Sequence, residues 1–179
     1  MLPKKPSKEG FFIAARNFYF ICCMKAATIK ELKEELTYKT QAELLEYCLK
    51  LSKFKKENKE LLTYLLFDAS DEPGYIQSIR EFLQDLFKQV NTTNIYFAKK
   101  TIRKIVRTAD KFTRYSDKPG TETEVRIFIC KQLKALPIDF SKSQVLQNVY
   151  SGQLKKINKL IAAMHEDLQH DYSVQMQSL

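Results

Sequence analysis

From Thr28 onward the apolar residues of this chain return every three or four positions, and the returning stretches are opened by helix caps, with no hairpin turns between them. Thr28-Ile29-Lys30-Glu31 and Thr40-Gln41-Ala42-Glu43 both have the form of a capping box, a threonine set to accept from the third amide and a glutamate set to reach back. The second opens a helix with Leu44, Leu45, Cys48, Leu49 and Leu51 turned inward. A helix over 53–68 follows, and its Leu61, Leu62, Leu65 and Leu66 read as core. Asp71-Glu72-Pro73-Gly74 breaks the chain before a helix over 75–90 with the stripe Ile76, Ile79, Leu83, Leu86 and Phe87. After Asn91-Thr92-Thr93 comes a helix over 94–115. The loop Ser116-Asp117-Lys118-Pro119-Gly120 leads to Thr121-Glu122-Thr123-Glu124, read as the cap of a sixth helix that runs to Ala135. That helix is apolar on most of its surface, which predicts a central position. A short helix is predicted from Ser141, a break at Ser151 and Gly152, and a last helix over 153–170.

No stretch alternates with the period of a strand, and four glycines with no tryptophan in 179 residues argue against a sandwich or barrel. The expected fold is all-α, with about seven to eight amphipathic helices as an irregular bundle or a short HEAT-like helix-pair stack. No repeat at a fixed period supports the stack. The expected organisation is an N-terminal extension over 1–23, one helical domain over 24–171 and a polar, frayed tail over 172–179.

The extension begins with Lys4 and Lys5 and turns apolar over 11–23, as a signal peptide does, but Arg16 and Asn17 interrupt the run and no small-residue cleavage site follows. The apolar run is also shorter than the roughly 20 residues that span a bilayer. Three readings stand: an upstream extension with the native start at Met24, a short interfacial anchor, or an ordered extra segment. The first is the expectation, because a clean helical sequence begins at Met24.

The chemistry-bearing feature lies in 99–114. At about 100° per residue, Lys99, Lys100, Arg103, Lys104, Arg107, Lys111 and Arg114 fall within an arc of roughly 140°, with Ile102, Ile105, Val106, Ala109 and Phe112 opposite. Lys99, Arg103, Arg107 and Lys111 form an i,i+4 ladder of like charges, each step costing roughly 0.2–0.5 kcal/mol in an isolated helix. The short turn before this helix makes it antiparallel to 75–90, which would bring Glu81 and Asp85 near Arg103 and Lys99 and leave about five cations unpaired. Only Asp110 offsets them from within. By contrast, Lys53–Glu57 and Lys56–Glu60 alternate in sign, as a solvated face does. Tyr96 projects into the cationic arc and Tyr115 lies at its edge.

Other constellations fail on geometry. His165 and His170 stand five apart, so they do not share a helix face as the two histidines of a zinc-protease motif do. Cys22, Cys23, Cys48 and Cys130 have no zinc spacing and read as buried thiols of a reducing cytoplasm. Isolated glycines build no phosphate loop, and no nucleophile elbow is present. No catalytic residues, no metal site and no cofactor are expected.

The stretch Leu51-Ser52-Lys53-Phe54-Lys55-Lys56-Glu57-Asn58-Lys59-Glu60-Leu61-Leu62-Thr63-Tyr64-Leu65-Leu66-Phe67, together with Glu122-Thr123-Glu124 and 160–169, resembles a family of small, uncharacterised all-helical bacterial proteins. The resemblance covers about 24–171 and implies a cytoplasmic bacterial protein, without implying an activity. The net charge of +9 makes polyanions the natural partners. The expected function is therefore a non-enzymatic domain that binds RNA or DNA through phosphates, using the seven cations and Tyr96 without base specificity. The alternatives are an acidic protein partner for the same face, a plain solvated surface there, or a helical protein–protein adaptor or structural protein with no nucleic-acid role.

Overall fold

The computed structural model describes residues 26–140 and 143–177. Eight α-helices and no strand make up those residues: α1 (Ile29–Thr37), α2 (Gln41–Phe54), α3 (Lys56–Thr63), α4 (Glu72–Lys88), α5 (Ile95–Ser116), α6 (Pro119–Ala135), α7 (Gln144–Ala162) and α8 (Glu166–Met176). The all-α class follows directly. Helix α3 runs on into a five-residue π-helical stretch, Tyr64–Asp68, where the Ala69 amide donates to the Tyr64 carbonyl five residues back. The 1–23 extension, Cys22 and Cys23 lie outside the described residues, as does Ser141.

The chain divides into two units after Lys50, within α2. In the first, both expected capping boxes form. Glu31 accepts from the Thr28 amide at 2.7 Å and Glu43 from the Thr40 amide at 2.9 Å, while each threonine hydroxyl accepts from the glutamate's own amide. Neither α1 nor α2 contains a buried residue. The inward stripe expected for α2 is therefore not formed: Leu45, Cys48, Leu49 and Leu51 are exposed, and only Leu44 is half-buried. Cys48 is an exposed thiol instead of a buried one.

The second unit is organised by α6, which packs against α4, α5 and α7 while α4 and α5 also pack on each other. This mutual packing makes the unit an irregular bundle. Helix α6 is apolar on two sides and serves two clusters. Val125, Ile129 and Leu133 join Leu83, Ile102, Ile105 and Leu146 in the larger one, while Ile127 and Cys130 meet Ile157, Ile161 and Tyr172 in the smaller. Full burial of each such aliphatic side chain stabilises by roughly 1.5–3 kcal/mol. Burial also pushes the Cys130 thiol up to about 11, so it stays protonated.

Several boundaries differ from the sequence reading. Helix α6 starts at Pro119, with Lys118 as its cap residue, so Thr121 lies inside the helix and its hydroxyl donates to Glu72 instead of capping. Helix α7 passes through Ser151 and Gly152 unbroken; the chain breaks instead before α8, which His165 caps by accepting from the Asp167 amide. Helix α8 continues through 172–176, past the expected onset of fraying, because Tyr172 is buried against α6 and α7. The core reading of 61–67 is overturned as well: the segment turns Tyr64 inward, whereas Leu65, Leu66 and Phe67 are 57%, 66% and 72% exposed, Leu65 and Leu66 standing about 100° and 200° round from it.

Glu72, in the first turn of α4, gathers four elements. Its carboxylate accepts from Tyr64 Oη at 2.9 Å, from Lys118 Nζ at 2.6 Å, and from the hydroxyls of Ser116 and Thr121. Burial alone would raise its pKa, but bonds from Lys118, Ser116, Thr121 and Tyr64 outweigh it and bring the group from 4.5 to about 2. A carboxylate depressed in the folded state adds stability above its unfolded pKa, and that stability is lost as pH falls from about 4.5 toward 2. Glu72→Gln is expected to cost about 2 kcal/mol at neutral pH. Urea unfolding should show the gap to wild type narrowing at about pH 3; a gap unchanged with pH would contradict the assignment.

Candidate functional site

Helix α5 is set in place at both ends. Asn91 Oδ1 accepts from the amides of Thr93 and Asn94, and Asn94 then caps the helix by accepting from the Tyr96 amide at 2.9 Å. At the far end Asp117 adopts the left-handed conformation, φ 53°, and its amide donates to the Thr113 carbonyl. Between them Ala98, Ile102, Ile105, Ala109, Thr113 and Ser116 are buried along one line. The opposite face carries the cations over about 21 Å between Lys100 and Arg114, at 1.5 Å per residue.

The structure puts all seven predicted cations on that face. Lys100, Arg103, Lys104, Arg107 and Arg114 are exposed; Lys99 and Lys111 are half-buried. Lys111 alone of the seven has a carboxylate partner among the described residues. Its Nζ donates to Glu60 at 2.7 Å and stands 4.7 Å from the Phe112 ring centre. Glu60 also accepts from Tyr115 Oη at 2.8 Å; burial raises its pKa, but the bonds from Lys111 and Tyr115 win and hold the carboxyl below its ordinary value. Tyr115 is thus committed to Glu60 and to packing on Phe112, which removes it as a free stacking surface. Arg114 Nε donates to the Asp110 carbonyl at 3.1 Å, which leaves its two terminal nitrogens for a ligand.

The expected neutralisation by α4 does not occur. Glu81 accepts from Gln77 and Asp85 from Lys88 Nζ, both at 2.8 Å. The reason is rotational. Both carboxylates lie roughly opposite the stripe Ile79, Leu83, Leu86 that packs α4 into the core, so they point away from α5. Asp110 is turned elsewhere too: its oxygens take Arg126 Nη2 at 2.8 Å and Lys156 Nζ at 3.6 Å.

Two hollows flank the cationic ridge and share Arg107 and Arg114. One, of about 750 Å³, is lined by Lys100, Lys104, Lys111, the hydroxyl-bearing Thr101 and Thr108, and Glu57 of α3. The other, of about 580 Å³, is lined by Lys118, Arg126 and Lys156 together with Asp110, Asp117 and Glu122. Sequence reasoning missed these three further cations because they come from other elements. Arg126 did leave a signal: it stands between Val125 and Ile127, in a stretch that is otherwise apolar up to Cys130. It is 4% exposed and saturated, donating to Glu122, to Gln153 Oε1 at 2.6 Å and to Asp110 Oδ1 at 2.8 Å.

Tyr96 is 70% exposed at the head of the ridge, edge-to-face with the exposed Phe97 at 5.6 Å between ring centres. The histidines form no pair: His165 caps α8 and lies 3.2 Å from Asp167, while His170 is exposed farther along that helix.

No family model, no curated protein and no solved structure matches the chain.

Removing Arg126 leaves the half-buried Glu122 without its ion pair, Asp110 with Lys156 alone, and the buried Gln153 without a donor. Arg126→Met is expected to lower the unfolding free energy by about 1–3 kcal/mol in chemical denaturation, the cost of buried and half-buried groups left without their donor. Arg126→Lys should recover only part, because an ammonium cannot reproduce the fork of bonds to Glu122, Gln153 and Asp110. Full recovery by lysine would reduce Arg126 to a simple counter-charge.

Proposed function

We propose that the chain is a non-enzymatic binding domain that holds RNA or DNA by its phosphates on the exposed face of α5. One observation carries this reading: Lys99, Lys100, Arg103, Lys104 and Arg107 follow one another along a helix with no carboxylate partner among the described residues, beside an open hollow. A ladder of like charges works against its own helix. Phosphates relieve that repulsion, and the counterions they release drive the association. Arg103, Arg107 and Arg114 offer bidentate bonds to phosphate oxygens, and the lysines act as point charges. Contacts to phosphates carry no sequence information, so binding of this kind is indifferent to sequence. A cytoplasmic setting belongs to the same reading.

The test is a salt titration of binding to generic nucleic acid. With about four phosphates neutralised, log K should fall against log salt with a slope near −3 to −4. The charge reversals Arg103→Glu and Arg107→Glu together should abolish the binding. Absence of binding at low salt, or binding that the double reversal leaves intact, returns α5 to an ordinary solvated surface.

A second reading rests on a separate observation. Leu65, Leu66 and Phe67 form a run of exposed apolar side chains on a π-helical stretch, a backbone irregularity frequent at functional positions. The run suits a protein partner, which makes the domain an adaptor. Leu66→Asp is then expected to leave stability within about 0.5 kcal/mol of wild type in denaturant titration. A loss of several kcal/mol would show that the run is core in the folded chain and remove the adaptor reading.

A further inference from the structure

We propose that the nucleic acid held on α5 is single-stranded, with its backbone along the hollow beside α3 and an unpaired base stacked on Tyr96. The inference rests on the phosphate-binding reading above and adds to it which form of nucleic acid fits.

The first argument is the difference between the two flanks of the ridge. On the α3 side, Glu57 is the one carboxylate that lines the larger hollow, and of the cations there only Lys111 is paired, to Glu60. On the other side, Asp110, Asp117 and Glu122 stand among the cations. The cations there that α5 does not supply are already engaged. Lys118 donates to Glu72 at 2.6 Å, Lys156 lies 3.6 Å from Asp110, and Arg126 is saturated. A duplex laid across α5 presents phosphates on both rims of the groove that straddles the helix. One rim would meet cations of which only Lys111 is paired, while the other, beyond the shared Arg107 and Arg114, would meet carboxylates and cations that are already paired. A single strand needs only the first rim.

The second argument is the placement of the aromatic pair. Tyr96 shares one line of the helix with Arg103, Arg107 and Arg114, within an arc of about 40°. It caps that line as an exposed ring, steadied by the edge-to-face contact with Phe97. Bases inside a duplex are covered on both faces, whereas those of a single strand offer a face to an aromatic ring. A ring at the head of a phosphate track is thus useful to an unpaired strand and idle against a duplex.

The experiment measures fluorescence-anisotropy binding of the full chain to oligothymidylate, to oligouridylate, and to a hairpin duplex with the same number of phosphates. The single strands are expected to bind at least about tenfold more tightly than the hairpin. Tyr96→Ala should weaken the single strands about tenfold and leave the hairpin unchanged, with Tyr96→Trp restoring the wild-type ratio. Asp117→Asn, which keeps a residue at ease in the left-handed conformation, should strengthen hairpin binding by removing a carboxylate from the rejecting flank. Tighter binding of either single strand over the other supports the proposal and says whether DNA or RNA is preferred. The proposal is overturned if the hairpin binds as well as the single strands, or if Tyr96→Ala weakens all three alike. Binding to none of them overturns the phosphate-binding reading itself.

Discussion

A guanidinium taken out of water must be surrounded by its partners, and Arg126 finds them on three helices. Glu122 comes from its own turn of α6, Asp110 from α5 and Gln153 from α7. Desolvating those charges is expensive, and the geometry has to be complete for the cluster to be tolerated at all. The consequence reaches the surface. Asp110 is the one acid that α5 carries between Ile95 and Ser116, and the buried arginine draws it away from the helix's own cations. The ladder from Lys99 to Arg107 stays unneutralised because the interior has already claimed that carboxylate.

Carboxylates are used the same way elsewhere in the second unit. Glu72 ties the start of α4 to the turn between α5 and α6, and Glu60 ties α3 to Lys111 and Tyr115. Arg80 and Glu124 join α4 to α6 in a further ion pair. Acids that could have balanced the surface therefore serve as fasteners between elements. The unbalanced positive charge on the exposed face of α5 is in part a result of that allocation.

Much of this was legible in the sequence where the determining interaction is local. The capping boxes at Thr28 and Thr40, the extent of α5 and the buried line Ile102, Ile105, Ala109 depend on residues within a turn or two of each other. What was not legible depends on partners far along the chain. Thr121 has the form of a cap, but Glu72, 49 residues away, takes its hydroxyl, and Pro119 has already started the helix. Gly152 looks like a break, yet the helix passes through it because α7 is held by Leu146, Gln153 and Ile157 on either side. Glu81 and Asp85 failed as partners of α5 because proximity of two helices does not fix their rotation; the apolar stripe does. In the candidate site, the cations of α5 were readable from periodicity, whereas Lys118, Arg126 and Lys156 required the packing of three helices to bring them near.

Helix α3 and the π-helical stretch that continues it face two ways. At about 100° per residue Glu57, Glu60 and Tyr64 share one line, and they look toward α5 and α4. Leu61, Leu62, Leu65 and Leu66 centre roughly 130° round from that line, so Leu65 and Leu66 point outward, and Phe67 is exposed as well. A leucine stripe at helical spacing is here the outer, greasy face of a segment whose inner face is electrostatic.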